Sequence, residues 1–122
     1  SPHFTAEEFR CPCQRPDCDA PTVPSEVLLA RLETLRERVG PVVLTSGIRC
    51  AYWNRFVGGS KDSEHVTGEG ADLLIPSSQV AYTYMKHAIT LFERIGYGRG
   101  KSAVIFHVGV SATLQPLCLW AY

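Results

Sequence analysis

The chain has 122 residues, 45% hydrophobic and 20% charged, with twelve basic side chains against twelve acidic ones. That length and balance suit one folded domain and argue against wholesale disorder, and no apolar run approaches the ~20 residues that span a bilayer. A formal net charge of zero gives no support to a general affinity for nucleic acid or anionic membrane, which needs clustered Lys and Arg.

In chain order, Ser1-Pro2-His3-Phe4 has neither a basic n-region nor an apolar h-region, so the compartment has to be read from chemistry. Thr5-Ala6-Glu7-Glu8 fits a capping box and predicts a short first helix. Residues 11–24 carry Cys11, Cys13 and Cys18 among four prolines. So many missing N–H groups predict an irregular segment that needs a covalent or metal staple. Ser25 caps the next predicted helix, whose Leu28, Leu32, Leu35 and Val39 share one face before Gly40-Pro41 stops it. Val42–Thr45 reads as a short strand, Ala51–Val57 as a short helix, residues 60–70 as a loop and Ala71–Ile75 as a strand. Ser77 or Ser78 caps a helix with the stripe Ala81, Tyr84, Ala88, Leu91 and Ile95, which Gly96, Gly98 and Gly100 are expected to break. Ala103–Val110 is the strongest strand, and Leu117–Ala121 is a further candidate. Helices and strands without βαβ alternation predict an α+β fold, a small and mainly antiparallel sheet with packed helices.

The chemistry gathers in Ser63-Glu64-His65-Val66-Thr67-Gly68-Glu69-Gly70-Ala71-Asp72, which sets a loop His seven positions before an Asp, with His107 in the late strand. Two imidazoles and a carboxylate suit a borderline metal such as Zn²⁺, and three protein ligands leave an open position as in catalytic sites.

These residues carry a family resemblance. Ser63, His65, Gly68, Ala71 and Asp72 resemble the Ser-x-His-x-x-Gly-x-Ala-x-Asp pattern of the M15 zinc peptidases, with the Gly-to-Ala spacing slightly stretched. Ser46-Gly47-Ile48-Arg49 resembles the family's Ser-Gly-Tyr-Arg, and Tyr52, Asn54, Val57, Gly58 and Gly59 resemble the family segment C-terminal to it. Ile105-Phe106-His107-Val108-Gly109-Val110 resembles the ending Phe-Val-His-Val-Asp-Val, and Phe4–Phe9 followed by cysteines resembles the phage-type entrance. The family comprises D-alanyl-D-alanine carboxypeptidases and phage endolysins and shares the hedgehog-domain fold. The resemblance implies one peptidase domain over residues 1–122. In it His65, Asp72 and His107 hold Zn²⁺, Arg49 stabilises the oxyanion or grips a substrate carboxylate, and Ser63 caps the loop or binds substrate. It further implies peptidoglycan stem peptides as substrates and an extracytoplasmic place of action. The charge balance and hydropathy add neither nucleic acid nor membrane insertion, and the chain is expected to be a monomer.

One departure matters. The family ends in His-x-Asp, whereas residue 109 is Gly, and residue 109 faces the same side of a strand as His107. All twelve acidic residues lie at or before Glu93, so a general base has to come from elsewhere, with Glu64 and Glu69 as candidates and Asp62 behind them. If Asp introduced at 109 restores activity to an inert protein, loss of the base is supported. The alternative is a weak or inactive zinc-bound module of the same fold that binds cell wall or a protein partner.

Five cysteines cannot all pair internally. Cys11, Cys13 and Cys18 form either a structural zinc site, with Cys50, Cys118 or His3 as fourth ligand, or disulfides to Cys50 and Cys118. A weaker reading makes these cysteines the point of the protein, as a zinc or redox interaction module. Tyr97, Trp120 and Tyr122 are either cleft walls or core.

Overall fold

The structure, a computed structural model, describes residues 1–101 and 103–122. Thr5 closes a capping box on helix α1 (Ala6–Phe9): its Oγ1 accepts from the Glu8 N–H at 3.4 Å, and its own N–H donates to Glu8 Oε1 at 2.9 Å. The helix buries Phe9 against Phe4, with ring centroids 6.4 Å apart and edge to face. Ser25 caps α2 (Glu26–Val39), which buries Leu28, Leu32 and Leu35 and ends at Gly40. Strand β1 (Leu44–Ser46), helix α3 (Ala51–Phe56), helix α4 (Glu64–Thr67) and strand β2 (Gly70–Leu73) come next. Ser77 caps α5 (Ser78–Leu91), and strands β3 (Arg94–Arg99), β4 (Val104–Gly109) and β5 (Cys118–Ala121) complete the chain.

The five strands form one sheet in the order β1-β2-β4-β3-β5, antiparallel except for the parallel β3–β5 edge. The fold is therefore α+β, as composition and pattern predict. Helices α2 and α5 pack together, and their buried Leu28, Leu32, Leu35, Ala88 and Leu91 share one core with Leu73, Ile95, Phe106 and Val108 of the sheet. In β4, side-chain alternation sends Phe106 and Val108 into this core and His107 and Gly109 to the opposite face. Among the described residues no helix is long and apolar enough to cross a membrane.

Two expectations are corrected. The loop expected over 60–70 contains α4, one turn begun by Ser63 and ended by Gly68 at φ +76°. The helix stripe expected to reach Ile95 stops at Leu91, and the glycines at 96 and 98 lie inside β3 rather than breaking a helix. Ile95 stands four residues after Leu91, so helical spacing does not mark the end. Ile95 enters the same core from a strand, paired with Val108. Gly96 is small for a tertiary reason: a Cβ there would overlap the Trp120 indole, which the parallel β5 brings alongside.

Candidate metal centre

The β2–β4 register sets Asp72 directly opposite His107, although 35 positions separate them. Side chains opposite one another in an antiparallel pair share a face, so the carboxylate meets the ring: Asp72 Oδ1 lies 2.9 Å from His107 Nδ1. Helix α4 adds His65, whose Nε2 lies 3.2 Å from the same oxygen. The three side chains are buried, and their ligating atoms lie within 4.8 Å of one another.

Each imidazole is fixed from behind. His65 Nδ1–H donates to the Gly47 carbonyl at 2.6 Å, which leaves Nε2 as the inward nitrogen. Gly47 is itself held by α1, since the Ile48 N–H donates to the Phe9 carbonyl at 2.7 Å. His107 Nε2–H donates to Glu64 Oε1 at 2.9 Å, which leaves Nδ1 inward. Such partners set the tautomer and aim of metal-binding histidines. Burial pushes the His65 pKa down against the pull of Asp72 and keeps the ring neutral. Its bare Nε2 then faces Asp72 Oδ1, acceptor against acceptor, a contact that a cation between them would relieve. Burial also opposes charge on His107, but Asp72 and Glu64 outweigh it and raise its pKa. A metal ion at Nδ1 would compete with a proton there. For Asp72, too, burial is outweighed, here by the two histidines, and its pKa falls well below the usual carboxylate range. The donor set fits a metal ion, and zinc among the borderline ones.

Glu64 is 3% exposed and fully engaged. Oε1 accepts from His107 Nε2 and from Arg94 Nε at 3.0 Å, and Oε2 accepts from the Ser111 N–H at 2.8 Å. Burial works against its ionisation, but His107, Ser111 and Arg94 together hold its pKa down. Gly109 makes this possible, because a Cβ at 109 would overlap both Glu64 carboxylate oxygens. The carboxylate that the sequence lacks on β4 is thus supplied through space from α4. An Asp added at 109 would meet the position that the Glu64 carboxylate occupies.

Arg49 is held flat beside the centre. Its Nε donates to Ser46 Oγ at 3.1 Å, Nη1 to Asn54 Oδ1 at 3.0 Å and Nη2 to Asp72 Oδ2 at 3.4 Å. The buried Asn54 is fixed in turn by donating to the Ser60 carbonyl at 2.7 Å. Burial lowers the Arg49 pKa and Asp72 opposes that, while an Arg stays charged throughout the neutral range.

The centre floors a cleft of about 760 Å³. Arg49, Arg94 and Lys101 bring positive charge to it, and Trp120 and Tyr122 bring aromatic surface. The Trp120 ring stands 5.5 Å from His107, with the Arg94 guanidinium 5.0 Å from the indole centroid. Tyr97 instead packs on Phe106 at the core. Ser63 Oγ accepts the His65 N–H at 3.2 Å and also lines the cleft. Asp62 lies exposed on the cleft lining. The Glu69 carboxylate accepts from Thr67 Oγ1 at 2.7 Å and takes no part in the lining. Sequence reasoning assigned no role to Arg94 and Ser111. Arg94 was hidden in the expected helix end, and Ser111 acts through its backbone N–H, which carries no residue signature.

With this geometry in place, comparison with protein families is decisive: the sequence model of Peptidase M15 matches residues 2–109. The chain belongs to the Peptidase M15 family. A search of curated proteins finds no match. M15 peptidases are metal-dependent, and in this M15 chain His65, Asp72 and His107 form the group suited to the metal. The match spans the α4–β2 segment and β4 together, and so covers the whole candidate ligand set.

Proposed function

We propose that this M15 chain is a zinc-dependent peptidase acting on peptidoglycan stem peptides, as a D-alanyl-D-alanine carboxypeptidase or an endolysin, outside the cytoplasm. The observation that carries the reading is the convergence of His65, Asp72 and His107 on the floor of a cleft with Arg49 beside them. Bound zinc supplies Lewis acidity to the scissile carbonyl and lowers the pKa of a water towards neutrality. The protein's part is positional. Glu64 holds the proton on His107 Nε2, so that Nδ1 faces inward. Gly47 does the same for His65. Arg49 offers a rigid, permanently charged fork to the oxyanion or to a substrate carboxylate. Trp120 and Tyr122 line the cleft with aromatic surface.

Among the described residues the carboxylates lining the cleft are Asp62, Glu64 and Asp72. Glu64 has both oxygens engaged, and it stands on the far side of the His107 ring from Asp72. Its role here is to position His107 rather than to take the proton of the attacking water. That saturation favours a second reading, a metal-bound module of the same fold that binds cell wall and turns over slowly or not at all.

One experiment separates the two. Zinc-loaded protein is incubated with purified muropeptides and the products are followed by mass spectrometry. Cleavage above a chelated control supports the enzyme. Bound zinc with retained muropeptide binding and no new product supports the module, and absence of bound metal removes both. Within the enzyme reading, Arg49→Lys is expected to lower kcat by about 10²–10³-fold while leaving the metal content unchanged, because a point charge cannot reproduce the fork. Unchanged kcat in that variant would place Arg49 outside the reaction.

A further inference from the structure

Residues 10–25 contain neither helix nor strand, yet four sulfurs converge there. The Sγ atoms of Cys11, Cys13, Cys18 and Cys50 all lie within 4.8 Å of one another, and none is joined in a disulfide. The fifth, Cys118, stands apart on β5 and lines the peptidase cleft. His3 is also elsewhere, with Nδ1 2.7 Å from Glu33 Oε1.

We propose that Cys11, Cys13, Cys18 and Cys50 bind a second, structural zinc ion that clamps the N-terminal segment to the start of α3. Zn–S bonds of about 2.3 Å place the sulfurs of a tetrahedral site about 3.8 Å apart, so the observed cluster needs only a slight contraction. Mutual proximity of all four sulfurs is what one tetrahedral ion demands, whereas two disulfides need only two separate pairs. The backbone is arranged for thiolates. The Cys50 N–H donates to Cys11 Sγ at 3.3 Å, the Arg15 N–H to Cys13 Sγ at 3.5 Å and the Trp53 N–H to Cys50 Sγ at 3.4 Å. Gln14, at φ +56°, makes the turn between Cys13 and Arg15, a left-handed conformation that a side chain adopts at a cost. Four thiolates and one Zn²⁺ carry a net charge of −2; Arg10 and Arg15 flank the cluster, with Glu7 on the same lining and Arg15 already paired with Asp17 at 3.1 Å. Arg15 is anchored there, its guanidinium 4.0 Å from the Tyr52 ring centroid.

The site lies outside the His–Asp–His centre but touches its support. Cys50 directly succeeds Arg49, and Cys11 lies two residues after Phe9, whose carbonyl holds Ile48 beside Gly47. An ion bound by both segments stiffens the stretch that delivers Arg49 and the Gly47 carbonyl. This would make the irregular, proline-rich entrance a rigid part of the cleft wall without any regular secondary structure.

The test uses the whole chain, purified without chelator, and reads the two centres separately. Metal analysis is expected to find a second zinc equivalent, lost in Cys13→Ser/Cys18→Ser and kept in His65→Ala/His107→Ala. Titrating the thiols of wild-type protein with an organomercurial is expected to release one zinc equivalent. Cobalt substitution is expected to give a near-ultraviolet thiolate-to-metal charge-transfer band, a signature that imidazole and carboxylate ligands do not produce. The cobalt and organomercurial readouts on wild-type protein decide the matter even if the cysteine variant fails to fold. A wild-type cobalt spectrum without the charge-transfer band, or recovery of these cysteines as disulfide-linked peptides, overturns the proposal. Loss of metal from the His–Asp–His centre alone would instead count against the peptidase reading and leave this one standing.

Discussion

Replacing His107 with alanine is expected to empty the metal centre and to lower peptide hydrolysis by about 10³-fold or more, since a Lewis acid contributes several kcal/mol to such a reaction. The reason is visible in its two hydrogen bonds. His107 is the link between Asp72, at 2.9 Å from Nδ1, and Glu64, at 2.9 Å from Nε2. Its removal takes one ligand from a set of three and leaves two buried carboxylates without a shared partner. Chelating the wild-type protein should produce the same loss of activity, and added zinc should restore the wild type but not the variant. Metal content measured beside the rate of muropeptide cleavage checks both arms. Undiminished cleavage by chelated protein would remove metal from the reaction.

The second large effect lies at Glu64 and Gly109. Glu64→Ala is expected to cost about 3–5 kcal/mol of stability, the usual result of removing one member of a buried ionic network. It strands the Ser111 N–H and His107 Nε2–H, and leaves Arg94 with the Gln115 carbonyl at 2.6 Å as its remaining hydrogen-bond acceptor. Metal affinity should fall about 10–100-fold as well, because the partner that aims His107 is gone. Gly109→Asp alone should also destabilise, since its side chain enters space that the Glu64 carboxylate fills. Combined, the two substitutions exchange one carboxylate for another, so Glu64→Ala/Gly109→Asp is expected to recover part of both losses. The signature is non-additivity, read from thermal melts and zinc titrations of the four proteins. Simple addition of the two single losses would show that the carboxylates do not substitute for one another.

Much of the scaffold was legible because its signals are local. The capping box of Thr5 and Glu8 and the Ser25 cap each act within one turn of their helix, so a window of a few residues contains the whole cause. Strand β3 was not legible. Its Ile95 falls on the helical stripe of α5, and its Gly96 is small for the sake of Trp120, a residue more than twenty positions away and brought alongside by strand pairing. The acidic residues tell the same story. None occurs after Glu93, and along the chain this looks like the loss of a carboxylate from the β4 side of the centre. In space a carboxylate does stand there as a partner of His107, because α4 lays Glu64 against Gly109.

The sequence by itself determined the donor chemistry: two imidazoles and a carboxylate in a family pattern, helix starts marked by Thr5, Ser25 and Ser77 or Ser78, and an α+β order of elements. These arise from side-chain type and short-range spacing, which the chain states directly. Tertiary structure alone decided that Glu64 positions His107 while Glu69 turns away to Thr67, and that Cys50, not Cys118 or His3, completes the sulfur cluster. Those outcomes depend on strand register and on how distant loops dock, and no local spacing encodes which of several chemically equivalent groups ends up within bonding distance.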